Sequence, residues 1–306
     1  MNPLHFFAAS RLLIVAGKGG VGKTTVTAVL ARAAADSGLR VLVIDVEGKA
    51  GLPHMLGGSP DDVFEYEPRV LIEGAGPDGR GSIAGRVVSP GEALREYLAV
   101  HGFRRLSGRL ASGGVLDVVS TAAPGIEDIL VLGKVKQIEQ VGGYDLLLLD
   151  APAAGHAVSF LQAAAGLLDS VRVGPLQTQA REVAELLADP ARCQVILVTL
   201  PEPTPVNELV ETSYALEDRV GVALGPVVVN GIYPPRTFPA RLTGDLRAAA
   251  EFRRARVDAQ AAQIDQLAER LALPQLRLPF VFTAGLSPAD IVDLAAAMAV
   301  QIAGLT

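Results

Sequence analysis

Apolar residues in this chain fall into short unbroken runs, each followed by a glycine-rich or acidic stretch. Leu12-Leu13-Ile14-Val15 is the first, and it ends at a glycine loop. A run without polar alternation reads as a strand buried on both faces, the pattern of a parallel sheet. Lys23 to Ser37 then reads as a helix, with Gly38 placed to end it. Val41-Leu42-Val43-Ile44-Asp45 is a second buried strand. Strand, loop, helix and strand make one βαβ unit. Leu116–Ser120, Leu146–Asp150, Val195–Thr199 and Pro226–Val229 repeat the strand pattern, with helical segments between most of them. The expected class is α/β: a mostly parallel sheet wrapped by helices, plus a helical elaboration.

Residues 51–113 are less regular and read as an insertion in a single domain spanning 1–306. Within it, the glycine-rich stretch Gly74–Gly81 joins two short strands, and Pro90–Val100 reads as a helix. Asp245–Leu271 is the longest helical pattern. Ser287-Pro288-Ala289-Asp290 supplies an N-cap, a first-turn proline and an early acid for a last helix.

Composition narrows the classes. Half of the 306 residues are hydrophobic, enough for a large core, and the net charge is −6. An acidic balance argues against a general nucleic-acid binder, so no nucleic-acid partner is expected. Cys193 is the only cysteine, which rules out an intrachain disulfide. Met1–Ser10 lacks the layout of a signal peptide, and Leu146–Leu149 is far too short to span a bilayer. The expectation is a soluble cytoplasmic protein without stable membrane insertion.

Gly17-Lys18-Gly19-Gly20-Val21-Gly22-Lys23-Thr24-Thr25 fits the phosphate-binding loop G-x-x-x-x-G-K-[ST], between a strand and a helix as that motif requires. Glycines let backbone N–H groups turn toward phosphate oxygens, and the helix start adds its positive dipole end. Lys23 is placed to neutralise the β and γ phosphates, and Thr24 to offer its hydroxyl to Mg²⁺. Asp150 closes an apolar strand, the pattern of a second Mg²⁺ carboxylate. Asp45 ends its strand close to the metal side. Glu47, two residues on, is a candidate for aligning the attacking water or is an exposed loop acid.

Lys18 adds a family signal. The form K-G-G-V-G-K-T-T resembles the deviant phosphate loop of a subgroup of P-loop ATPases. Asp150-Ala151-Pro152-Ala153-Ala154-Gly155-His156-Ala157 resembles the D-T-A-P-T-G-H-T switch of the arsenical-pump and tail-anchored-protein-targeting ATPases, with alanines at the three threonine positions. Pro124-Gly125-Ile126-Glu127-Asp128, Val198-Thr199-Leu200-Pro201-Glu202 and Val227-Val228-Val229-Asn230 resemble further family segments in the same order. Val46-Glu47-Gly48-Lys49 is similar to the actinobacterial ArsA-like branch.

The resemblance implies an ATP- and Mg²⁺-dependent dimer, of identical subunits or with a paralogue, acting on a client protein. It implies that Lys18 reaches the partner's nucleotide and that Glu47 stands where the family usually has aspartate. It also implies an adenine side built from Asn230, Pro279 and Phe280; from local sequence alone, Asn230 reads equally well as a turn cap before Gly231. No zinc is expected, because the family's Cys-x-x-Cys pair is missing and the matching region, Phe252–Gln260, is arginine-rich. An arsenite-pump subunit is disfavoured by the lone Cys193. A partition-type ATPase acting on nucleic acid or membrane is the other alternative.

Overall fold

The computed structural model describes residues 2–46, 48, 51–100, 125–152, 157–170, 174–239 and 241–305. In chain order these form α1 (Pro3–Phe7), β1 (Leu12–Gly17), α2 (Lys23–Asp36), β2 (Arg40–Asp45), α3 (Leu52–Met55), β3 (Arg69–Ala75), β4 (Gly81–Val87) and α4 (Pro90–Val100). After them come α5 (Ile126–Val141), β5 (Leu146–Asp150), α6 (Ala157–Ser170), α7 (Pro175–Ala188), β6 (Cys193–Thr199) and α8 (Pro203–Val220). The last elements are β7 (Ala223–Leu224), β8 (Val227–Ile232), α9 (Gly244–Arg270), β9 (Gln275–Pro279) and α10 (Pro288–Ala303).

Among the described residues the strands join one nine-stranded sheet in the order β3-β4-β2-β5-β1-β6-β8-β9, with β7 beside β6. All pairs are parallel except the β3–β4 hairpin. The sheet therefore has β1 near its middle, between β5 and β6. The chain leaves β1 toward β2 on one side, and later crosses from β5 to β6 on the other. That reversal opens a crevice at the C-terminal end of β1, the usual ligand position in open α/β sheets.

The side-chain period of two explains why the strands are apolar throughout. Leu13, Val15, Val43, Leu148 and Val198 pack under α2 and α10, while Leu12, Ile14, Ile44, Leu149 and Leu197 pack under α5, α6, α7 and α8. Burial of each large apolar side chain stabilises the fold by about 1.5–3 kcal/mol. Cys193 opens β6 and is fully buried, and its burial pushes the thiol pKa up.

Several elements match the patterns read from sequence, and some differ. Gly74–Gly81 joins two seven-residue strands. The last helix carries a full capping box between Ser287 and Asp290. The strand expected at Pro226–Val229 begins at Val227 and runs on to Ile232. Residues 51–100 of the irregular region are ordered into α3, the hairpin and α4. The expected strand Leu116–Ser120 lies outside the described residues, as do Glu47, Lys49, Pro124 and the switch positions Ala153, Ala154, Gly155 and His156.

Candidate active site

The C-terminal ends of β1, β2, β5 and β8 bring most of the sequence candidates to one place. β1 delivers Gly17 so close to β6 that a Cβ there would lie 2.4 Å from the Val198 carbonyl oxygen. Only glycine lets the chain turn off the sheet at that point. Gly19, Gly20 and Val21 carry the loop to Gly22, the N-cap of α2, which adopts the left-handed conformation at φ 89° without a side-chain cap. The first N–H groups of α2 are thus turned into the loop, where an anion can take them. Thr25 continues the first turn of α2.

Lys23 is 7% exposed, and its ammonium folds back over the loop to donate to the Lys18 carbonyl at 3.3 Å. Its charge therefore sits inside the cradle. The Thr24 hydroxyl donates to Asp150 Oδ2 at 2.8 Å. Thr27, one turn later, places Oγ1 3.2 Å from Asp150 Oδ1 and 3.0 Å from the Lys23 carbonyl. Asp45 is paired in register with Asp150 across β2 and β5, so the two carboxylates project from the same face at the same level. That face is the one α2 covers, because Val15 is the register partner of Asp150 on β1.

Burial raises the Asp150 pKa to about 6, and the neighbouring Asp45 charge adds to the rise. The Thr24 hydrogen bond, Lys23 and Thr27 oppose it. Two carboxylates held this close in a nearly dry place fit a hard cation or a positively charged group. Mg²⁺ usually takes one or two carboxylates and completes its shell with phosphate oxygens and water. Thr24, Asp150 and Asp45 fit that requirement. Among the described residues no group of three or more His, Cys, Asp or Glu could hold a metal by itself.

Asn230 comes to the loop from the other side. Its Nδ2 donates to the Val21 carbonyl at 2.9 Å, and a Cβ on Gly22 would lie 2.2 Å from that nitrogen. Pro279 pairs with Ile232 across β8 and β9, and the Phe280 N–H donates to the Ile232 carbonyl at 2.7 Å. Asn230 thus lies against the loop, and Pro279 and Phe280 lie against the end of the strand that carries it. Lys18 leaves it. Its ammonium is 2.5 Å from Glu208 Oε1 on α8, and both side chains are about two-fifths exposed.

A comparison with known families decides the broader assignment. The family described as the CobQ/CobB/MinD/ParA nucleotide binding domain matches residues 12–284. The chain belongs to that family. ATPase BagA of Mycobacterium tuberculosis is 30% identical over 303 residues, covering 96% of this chain and 84% of the relative. A putative arsenical pump-driving ATPase of Halobacterium salinarum is 27% identical over 291 residues, covering 88% of this chain and 41% of the relative. ATPase get3 of Neurospora crassa is 29% identical over 154 residues, half of this chain. The matches agree with the ArsA-like resemblance of the motifs. This member of the family is an ATP hydrolase. Among the described residues no helix is long and apolar enough to cross a membrane.

Two side chains at the site, Thr27 and Glu208, are not singled out by the sequence motifs. Thr27 had a signal, since it stands one helical turn beyond Lys23 and shares its face. Glu208 had none: it is 190 residues from Lys18.

The buried Asp150 yields a stability prediction. A carboxyl whose pKa is raised from 3.8 to about 6 costs the folded state stability above pH 6 and nothing well below pH 4. Asp150→Asn should therefore melt higher than wild type at pH 7 without nucleotide, and the gap should close as the pH falls from 6 toward 4. Thermal melts across that range check it.

Proposed function

We propose that the chain is a Mg²⁺-dependent ATPase that works as a nucleotide-switched dimer and delivers or regulates a partner protein in the cytoplasm. The observation that carries this reading is the division of labour between the two loop lysines. Lys23 is buried over the cradle, whereas Lys18 is half-exposed and turned away from it. A lysine so placed has no role toward its own loop's phosphates and can reach those of a facing subunit. The partner is a second copy or a paralogue, and residues 1–306 act as one ATPase unit.

In this reading the backbone N–H groups of Gly19 to Thr25 and the Lys23 ammonium hold the phosphates. Thr24, Asp45 and Asp150 would hold a Mg²⁺ ion, which when bound would supply charge to offset that of the phosphates. Asn230, Pro279 and Phe280 border the adenine. Glu47 follows Asp45 by two positions and aligns the attacking water. Loss of the γ phosphate then releases the segments around Glu47 and Asp150 to Ala157, which is the switch.

The Lys18–Glu208 pair has to open before Lys18 can reach across. An exposed ion pair is worth at most about 1 kcal/mol, so a phosphate of the partner can displace it. With a non-hydrolysable ATP analogue, sedimentation should show a dimer for wild type and a monomer for Lys18→Ala. Glu208→Gln should dimerise at least as tightly, by up to about fivefold. Equal dimerisation of wild type and Lys18→Ala would sink the trans role.

Glu47→Gln keeps size and hydrogen bonding but removes charge. Hydrolysis should fall by about two orders of magnitude, the scale of a lost acid–base group, with ATP affinity unchanged. Steady-state turnover and equilibrium binding check both halves. Normal turnover in Glu47→Gln, with Asp45→Asn inactive yet still binding ATP, would move the role to Asp45.

A further inference from the structure

Helix α9 is polar and largely exposed, yet Gln260 within it is only 3% exposed. A buried amide needs partners at both ends. Gln260 finds both on the backbone just after Asn230. Its Oε1 accepts from the Tyr233 N–H at 2.8 Å, and its Nε2 donates to the Gly231 carbonyl at 3.2 Å. Between them, the Ile232 carbonyl accepts from Phe280 N–H. The bulged end of β8 is thus gripped by α9 on one side and by β9 on the other. The Tyr233 ring packs 5.1 Å from the Phe280 ring, with Arg253 and Arg256 over its face. Asn230, on the same stretch of β8, reaches the phosphate loop through Val21.

We propose that Gln260 is a positioning residue for the nucleobase: it fixes the bulged end of β8, Gly231–Tyr233, so that Asn230 and Phe280 face the base at a set spacing. This rests on the adenine-side reading of Asn230, Pro279 and Phe280 given above. Gln260 itself need not touch the nucleotide. Its loss would free the end of β8, blur the base contact and loosen the phosphate loop only at Val21, because Gly17, Lys23 and Thr24 are held from β6, the loop and Asp150.

The test compares ATP with inorganic tripolyphosphate, which has no base, on wild type, Gln260→Leu and Gln260→Glu. Gln260→Leu should raise Kd and KM for ATP about tenfold, the scale of two lost buried hydrogen bonds. Its kcat should stay within about twofold, and tripolyphosphate affinity should fall by no more than about twofold. Gln260→Glu keeps the acceptor for Tyr233 N–H and should recover part of the loss, which covers the case that the leucine variant does not fold. A purely structural role would lower the active fraction, so kcat would fall with KM unchanged; that outcome overturns the proposal. Equal losses for ATP and tripolyphosphate also overturn it. Wild type binding both ligands equally well would overturn the base-side reading together with the clamp. Wild type preferring ATP, with both variants unchanged, would overturn the clamp alone.

Discussion

The contact on which the site depends is the passage of the loop between β6 and β8. Gly17 lies against the Val198 carbonyl and Gly22 against the Asn230 amide, and neither place has room for a Cβ. Because β1 is buried in the middle of a parallel sheet, its end cannot shift to relieve a larger residue. The tight passage also lets Asn230 hold the Val21 carbonyl, so the loop is fixed from outside before any phosphate arrives. Preorganised donors act on an anion without first having to be ordered.

Electrostatics work against the fold at the same place. Asp150 and Asp45 share one level of the sheet, both nearly inaccessible to water. A rise in the Asp150 pKa from 3.8 to about 6 corresponds to about 3 kcal/mol of cost in the charged state. That cost is what is left after Thr24, Lys23 and Thr27 have offset part of the desolvation. A cation shared with phosphate would offset more, which ties nucleotide binding to stability. The cost falls on the residues that chemistry needs, a common place for locally unfavourable structure.

The centre of the sheet and the β3–β4 hairpin at one edge were legible in the sequence, and β7 and the opposite edge were not. β1, β2 and β5 are continuous apolar runs ending in glycine or aspartate, because both faces are covered. β9 is Gln-Leu-Arg-Leu-Pro, short and half polar, since it lies at the sheet's edge; its pattern is too brief to separate from a loop. β7 has two residues and no pattern at all. The phosphate loop could be read because its residues are contiguous. Asp150 could be read because a strand end announces it. The Lys18–Glu208 pair and the Gln260 clamp join residues far apart in the chain, and local sequence carries no trace of such pairings.

The central claim is that one preorganised loop, with Lys23 inside it, carries nucleotide binding. Calorimetric titration of ATP with Mg²⁺ into wild type and Lys23→Ala tests it most directly. The account predicts saturable binding by wild type and at least about a hundredfold weaker binding by the variant, the scale of losing charge-assisted hydrogen bonds to phosphate. Equal ATP affinity in a folded Lys23→Ala protein would contradict it.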